Sequence, residues 1–375
     1  MSSNLASPTK PPHQPDPKAT GPAGVIPSQL IAAMIACGEI TASIPPDPGQ
    51  IQPASLDLRL GSTAYRVRAS FLPGATASVA ERLDEVAMHQ IDIASGAVLE
   101  KGCVYVVPLL EGLALPADLR AVANAKSSTG RLDLFTRLIT DRGVEFDRIA
   151  AGYRGPLFAE ISPRSFSVLV RPGMRLNQIR FRRGAALLDD DALRALHGEA
   201  PLVDGPAVIA DGLGFSVDLR PGPGGLVGWR AKPHAGVVDL DRIGLHPPHD
   251  FWEAIRTPDR RVVLDPGAFY ILVSREAVRI PATHAAEMAP YMAMVGEFRV
   301  HYAGFFDPGF GLDAPARGVL EVRCHEAPFA LEHGQVVGRL VFERMEAVPD
   351  RLYGAGIASN YGGQGLKLAK QFAPA

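Results

Sequence analysis

The chain has 375 residues, enough for two domains of ordinary size or one large one, each with a real hydrophobic core. With 47% hydrophobic and 21% charged residues and a net charge of −2, it is neither disordered along most of its length nor a general binder of nucleic acid or acidic membranes. No apolar run approaches the roughly 18 residues of a membrane span, the N-terminus has no signal-peptide core, and three distant cysteines (Cys37, Cys103, Cys324) make no disulfide framework, so the expectation is a reduced, cytoplasmic protein.

Residues 1–22 hold six prolines and almost no large apolar side chains, and read as a disordered Pro-rich tail. A helix is predicted next: Pro27 and Ser28 can start it, Leu30, Ile31, Met34 and Ile35 form an apolar face, and Gly38 can end it. Short apolar or alternating runs follow, broken by Asp47-Pro48-Gly49, Arg171-Pro172-Gly173, Asp265-Pro266-Gly267 and Asp307-Pro308-Gly309. The segments 104–110, 167–171 and 269–274 have strand-like content. Asp189, Asp190 and Asp191 before ALRAL, with Gly198 and Pro201 after it, predict a short capped helix in a connector.

Across that connector the chain repeats itself. Gly102, Tyr105, Glu111, Pro116 and Ala117 recur 165 residues on as Gly267, Tyr270, Glu276, Pro281 and Ala282. Gly173 lies eight residues before Phe181, and Gly334 eight before Phe342. We read an internal duplication of one β unit: a first repeat over 23–185, a connector over 186–205, a second repeat over 206–350 and a Gly-rich tail over 351–375.

Three stretches bear chemistry. KSSTGR (126–131) sets Lys126, Ser127, Ser128 and Arg131 at a turn, offering the hydroxyl donors and positive charge that a di- or triphosphate needs, although the same residues also spell an exposed loop. The counterpart positions in the second repeat are Tyr291, Met292, Ala293 and Gly296, which carry no such chemistry. HYAGFFDPGF (301–310) combines a rigid turn with Phe305, Phe306 and Phe310, flat surfaces for a ring, and Glu321 ends the apolar strand that follows. A carboxylate there can be raised by burial towards the range of a general base. The third stretch, 354–370, is Gly-rich with Lys367 and Lys370, either a flap over an anionic ligand or a frayed end. Other chemistries are excluded by spacing. There is no C-x-x-C to complete a zinc deaminase site after His197-Gly198-Glu199, no H-E-x-x-H, no GxGxxG after a strand and no GxSxG.

In combination these stretches resemble the dCTP deaminase family of the dUTPase-like superfamily. IQPASLDLRLG (51–61) resembles that family's early strand motif, and KSSTGR its R-S-S-x-x-R phosphate motif with Lys126 in place of the leading Arg. Ala303, Asp307-Pro308-Gly309 and Glu321 resemble the segment bearing its catalytic glutamate; Tyr353, Tyr361 and Gln364 resemble its nucleotide-covering tail. Two departures stand out. The chain looks like a longer, duplicated form in which the motifs are split between repeats, and Phe305 falls where the family usually has an Arg.

The resemblance implies a mainly β fold, two tandem dUTPase-like β-barrels with short peripheral helices. It implies deamination of dCTP to dUTP and ammonia, with Glu321 as general base, no zinc, and Mg²⁺ arriving on the substrate triphosphate. Lys126, Ser127, Ser128 and Arg131 would meet the phosphates, and Ala303, Asp307 and Phe310 the base and sugar. Tyr353, Tyr361 and Gln364 would form the flap. Glu160, the strand-end carboxylate of the first repeat, is the alternative catalytic residue. The expected partners are dCTP and further copies of the chain, with a trimer as one such assembly, and neither nucleic acid nor membrane. The rival readings are a dUTPase or bifunctional enzyme, against which Phe310 stands where a dUTPase usually has Tyr, and a non-catalytic nucleotide-binding regulator.

Overall fold

The computed structural model describes residues 22–290, 298–301, 304–354 and 365–374. In the first repeat the chain forms β1 (Gly24–Val25), α1 (Ser28–Ala36), β2 (Ile40–Ala42), β3 (Leu56–Arg59), β4 (Thr63–Val67), α2 (Val79–Val86), β5 (Ala87–Asp92), β6 (Ala97–Leu99) and β7 (Val104–Ala114). It continues through β8 (Leu119–Ala125), α3 (Ser127–Gly130), β9 (Leu134–Thr140), β10 (Arg148–Ile149), β11 (Arg154–Pro163), β12 (Val168–Val170) and β13 (Arg175–Arg183). The predicted first helix is present, and Gly38 just beyond it sits at φ +82°, the left-handed turn that favours glycine at a helix end.

Helix α4 (Asp190–Glu199) lies in the connector, its start capped by the Asp189 carboxylate, which accepts from Ala192 N at 2.8 Å. The second repeat comprises β14 (Leu213–Ser216), β15 (Leu226–Ala231), β16 (Val238–Asp239), α5 (Pro248–Phe251), β17 (Trp252–Arg256), β18 (Arg261–Leu264) and β19 (Phe269–Val278). It closes with β20 (His284–Pro290), β21 (Phe298–His301), β22 (Phe305–Phe306), β23 (Ala316–Cys324), β24 (Phe329–Glu332) and β25 (Val336–Arg344).

The topology repeats sheet for sheet. The order β5-β4-β7-β11-β9 in the first repeat becomes β17-β15-β19-β23-β21 in the second. On the opposing sheets, β3 pairs β13, which pairs β8, which pairs β10; likewise β14 pairs β25, which pairs β20, which pairs β22. The small pairs β6–β12 and β18–β24 also correspond. The fold is thus mainly β, a tandem of two topologically equivalent units, as the sequence predicted.

Alternation explains the outer strands and its loss explains the central ones. Along LRAVANA of β8, buried and half-buried residues alternate, as expected of a strand with one face on the core. From Leu157 to Pro163, β11 is buried throughout, because it lies between β7 and β9 in the sheet interior. Strand β23 has the same place in the second repeat and is buried from Gly318 to Val322.

The repeats are not independent balls. The larger core joins first-repeat residues such as Leu58, Ile161 and Phe181 to Phe251, Trp252 and Ile271 of the second. Strand β16 adds to β12 in parallel, and Arg182 on β13 bonds Glu287 and Glu343 at 2.7 and 2.6 Å. Contrary to a freely frayed end, 366–372 is seated: Leu368, Ala369 and Phe372 join this core, with the Phe372 ring edge-on to Trp252 at 5.8 Å.

Among the described residues, no helix is long and apolar enough to cross a membrane.

Candidate active site

The KSSTGR segment is one helical turn, not a tight reverse turn. Strand β8 runs into Lys126, whose backbone N–H donates to Leu176 O at 2.9 Å; the chain then turns through α3, where Gly130 N donates to Lys126 O at 2.9 Å. This tucks Ser128, Thr129 and Arg131 inward, all buried, and leaves Lys126 partly open. The Lys126 ammonium is bonded to the buried carboxylate of Asp57 on β3, and the Arg175 guanidinium lies 3.9 Å from the same carboxylate.

These residues border a cavity of about 580 Å³, within the range of small-molecule sites. Its wall takes Lys126, Ser127, Ser128 and Arg175 from the first repeat, Phe305 and Asp307 from the second, and Lys370 from the seated tail. Burial and the neighbouring Lys126 ammonium both lower the Lys370 pKa, as expected where cations converge. Ser127, Phe305 and Tyr353 also line a smaller adjoining cavity of about 70 Å³, which contains Arg131, Phe306, Phe310 and Glu321.

Glu321 sits in the middle of β23, opposite Ile271 on β19 and His301 on β21. Burial pushes its carboxyl up to about 8, although Arg131 and a backbone hydrogen bond oppose the rise. The Arg131 Nε atom is 3.9 Å from Glu321 Oε1, and its Nη1 donates to Lys367 O at 3.1 Å. One side chain of the phosphate-type motif therefore touches both the carboxylate of the other repeat and the C-terminal segment.

The Asp307-Pro308-Gly309 turn holds the cavity's second-repeat wall. Gly309 adopts φ +98°, and a Cβ there would lie 2.8 Å from Tyr353 N, so the turn and the Tyr353 backbone can approach only with glycine. Tyr353 N donates to Pro308 O at 2.9 Å, and its ring packs on Phe310 at 5.3 Å. Phe310 in turn meets Phe306 edge-on at 5.2 Å. Asp307 is buried, which raises its carboxyl pKa, and Arg180 Nη2 donates to its Oδ1 at 2.9 Å.

The structure thus brings together Lys126, Ser127, Ser128, Arg131, Asp307, Phe310, Glu321 and Tyr353, all singled out in the sequence. Ala303, Tyr361, Gln364 and the counterpart positions Tyr291, Met292, Ala293 and Gly296 lie outside the described residues, as does the tail before residue 22.

Glu160 stands apart. It faces Val106 across β7 as Glu321 faces Ile271 across β19, so the two carboxylates are topological equivalents. Yet Arg137 Nε donates to Glu160 Oε1 at 3.0 Å, and the guanidinium is stacked on Phe146 at 3.5 Å. The carboxylate of the first repeat is thus paired within its own sheet.

Arg180, Arg175 and Asp57 are the site residues that sequence reasoning missed. Asp57 lies within the Asp-Leu-Arg-Leu-Gly motif, a usable signal; Arg180 is one of several arginines on β13 and carried none. Among the described residues, no group of three or more His, Cys, Asp or Glu is arranged to hold a metal ion.

Comparison with known proteins shows the family. Residues 22–185 match the N-terminal domain model of 2'-deoxycytidine 5'-triphosphate deaminase, and 189–372 match the C-terminal domain model. A crystal structure of 2'-deoxycytidine 5'-triphosphate deaminase from Agrobacterium tumefaciens superposes with a TM-score of 0.83 at 54% identity, over 86% of this chain and 99% of that one. The dCTP deaminase of Actinobacillus succinogenes is 31% identical over 152 residues, 38% of this chain and 75% of its own. A Methanoculleus marisnigri protein named "dCTP deaminase, dUMP-forming" is 34% identical over 145 residues, 37% of this chain and 70% of its own.

Proposed function

We propose, from the premise that this chain belongs to the dCTP deaminase family, that it hydrolyses the 4-amino group of dCTP to give dUTP and ammonia. The observation that carries the reading is the meeting of Arg131 and Glu321, 3.9 Å apart and from different repeats, in the smaller cavity that adjoins the larger one. A triphosphate lies against Lys126, Ser127, Ser128, Arg175 and Lys370 in the larger cavity, while the cytosine reaches Glu321 in the smaller one. Magnesium enters as the substrate's counter-ion, held by phosphate oxygens.

Glu321 is the general base. In its ionised form it takes a proton from the water attacking C4 and returns it to the ring nitrogen or the departing amine. Its raised pKa suits both steps, since a carboxyl near 8 exchanges protons readily at neutral pH. Arg131 limits that rise and orients the carboxylate. Phe306, Phe310 and Tyr353 exclude bulk water from the base. Both halves of the site come from one chain, which gives the duplication its use: one repeat keeps the phosphate motif and the other the carboxylate.

The test is direct. Purified protein is incubated with dCTP and Mg²⁺, with and without a zinc-selective chelator, while nucleotides are separated and ammonia is assayed. Ammonia matched by dUTP and unaffected by chelator is expected. Pyrophosphate with dUMP would mark a bifunctional enzyme, and bound dCTP without turnover would mark a regulator.

A further inference from the structure

Strand β13 binds the two repeats with three arginines, and only one of them bonds side chains that line the cleft. Arg182 bonds Glu287 and Glu343, and Arg183 bonds Asp118 at 2.9 Å and pairs with Glu346, all away from the cavity walls. Arg180 is different. It is completely buried, and its guanidinium is used on every side. Its Nε donates to Ala54 O at 3.3 Å, Nη1 to Ala286 O at 3.0 Å and Nη2 to Asp307 Oδ1 at 2.9 Å, while the Phe305 ring lies across its face at 4.0 Å. Asp307 and Phe305 both line the larger cavity, and Phe305 also lines the smaller one. A planar cation that forks between a carboxylate and backbone carbonyls while stacking on a ring fixes both side chains at once, which an ammonium cannot do.

We propose that Arg180 is a positioning residue for the second-repeat wall of the cleft, reaching from the first repeat to set Asp307 and Phe305 of the second. Arg180 meets no substrate, being fully covered; it acts through the two side chains that form the wall. The inference rests on the dCTP reading of the cleft, but its physical core, the coupling of Arg180 to Asp307, does not.

A double-mutant cycle with a stability readout tests it. Arg180→Met, Asp307→Asn and the double variant are compared for kcat and KM with dCTP, with Arg182→Met as the control that breaks a neighbouring inter-repeat contact only. We expect kcat/KM to fall at least tenfold in Arg180→Met and in Asp307→Asn, the double variant to lie within threefold of the worse single, and Arg182→Met to lower the melting temperature while leaving KM within twofold. Multiplying effects in the double variant, or an Arg180→Met kcat/KM within twofold of the parent, would overturn the proposal. Should Arg180→Met not fold, Arg180→Lys replaces it: charge is kept and the fork lost, and at least a threefold fall in kcat/KM is still expected, again absorbed by Asp307→Asn.

The second readout needs no substrate. Asp307 is faced by Arg180 on β13, Asp57 on β3 and Lys126 before α3, with Glu343 on β25 also 3.7 Å from Arg180. Without Arg180 the buried carboxyl holds its proton to higher pH, so the melting temperature of Arg180→Met should fall more steeply as pH rises from 5 to 8 than that of the parent. Asp307→Asn should abolish the extra slope. If dCTP is neither bound nor turned over but this coupling is found, the functional reading fails and the contact stands. If dCTP is turned over but the coupling is absent, the functional reading stands and the positioning role of Arg180 fails.

Discussion

Replacing Glu321 by Gln tests the proposed proton-transfer role of this side chain apart from its packing. The amide keeps the shape and removes the titration. With its carboxyl pushed up to about 8, only about one-tenth of Glu321 is ionised at pH 7. If the ionised form is the base, log kcat/KM for dCTP rises by about one per pH unit from pH 6 and levels near pH 8, because kcat/KM reports the free enzyme. Glu321→Gln should lose turnover by about 10²–10⁴-fold, the usual worth of a general base, and lose the pH limb as well.

Stability gives an independent magnitude. A carboxyl whose folded pKa is above its unfolded value favours the fold while protonated, and that contribution is lost as pH rises from the unfolded value to the folded one. From the ordinary 4.5 to about 8, this amounts to on the order of 5 kcal/mol. Glu321→Gln should therefore match the parent near pH 4.5 and become increasingly more stable than it up to pH 8. Ammonia release measured from pH 5.5 to 9, alongside thermal melts in the same buffers, checks both. A flat kcat/KM profile, or a Gln variant within tenfold of the parent, would sink the assignment of Glu321 as base.

Glu160→Gln should leave turnover within a few-fold but lower stability by about 3 kcal/mol, because Arg137 loses its partner inside the sheet; melts and ammonia assays on the same sample separate the two effects. Lys126→Ala is expected to raise KM for dCTP with kcat little changed, and to weaken the salt dependence of KM; an unchanged KM would remove Lys126 from phosphate binding. Phe372→Ala should cost about 3–5 kcal/mol through the cavity left beside Phe166, Phe251 and Trp252. It should also raise KM, since the same segment carries Lys370 into the cleft; limited proteolysis will show whether the end has detached.

Much of this arrangement was legible in the residues because it depends on local chemistry. Asp-Pro-Gly codes its own turn, KSSTGR concentrates donors and charge in six positions, and the spacing of Gly102 and Tyr105 from Gly267 and Tyr270 follows two copies of one β strand. The offset of 165 between β7 and β19 drops to 161 between Glu160 and Glu321, so a single-offset comparison finds only part of the duplication. What stayed hidden depends on pairing across the chain. Arg180 is separated from Asp307 by 127 positions, and nothing near it in sequence distinguishes it from Arg182 or Arg183. The seating of the tail was hidden for a related reason: Leu368, Ala369 and Phe372, beyond the glycines, find a core contributed by both repeats.

The difference between Glu160 and Glu321 shows how two equivalent units differ at one shared position. Both carboxylates hold the same topological place on a buried central strand. What separates them is the neighbour. In the first repeat an arginine on the adjacent strand β9, in register with the carboxylate, pairs with it and stacks on Phe146. In the second repeat the residue in register on β21 is His301, and the approaching guanidinium comes from the other repeat as Arg131, at 3.9 Å and beside a cavity. Glu160 has a close in-register ion pair through one carboxylate oxygen, whereas Glu321 has a longer contact from across the repeat boundary and lines a cavity. The second arrangement is the one on which the proposed proton transfer rests. Its shape depends on how the two repeats are held together, which makes contacts such as that of Arg180 with Asp307 part of the site's construction.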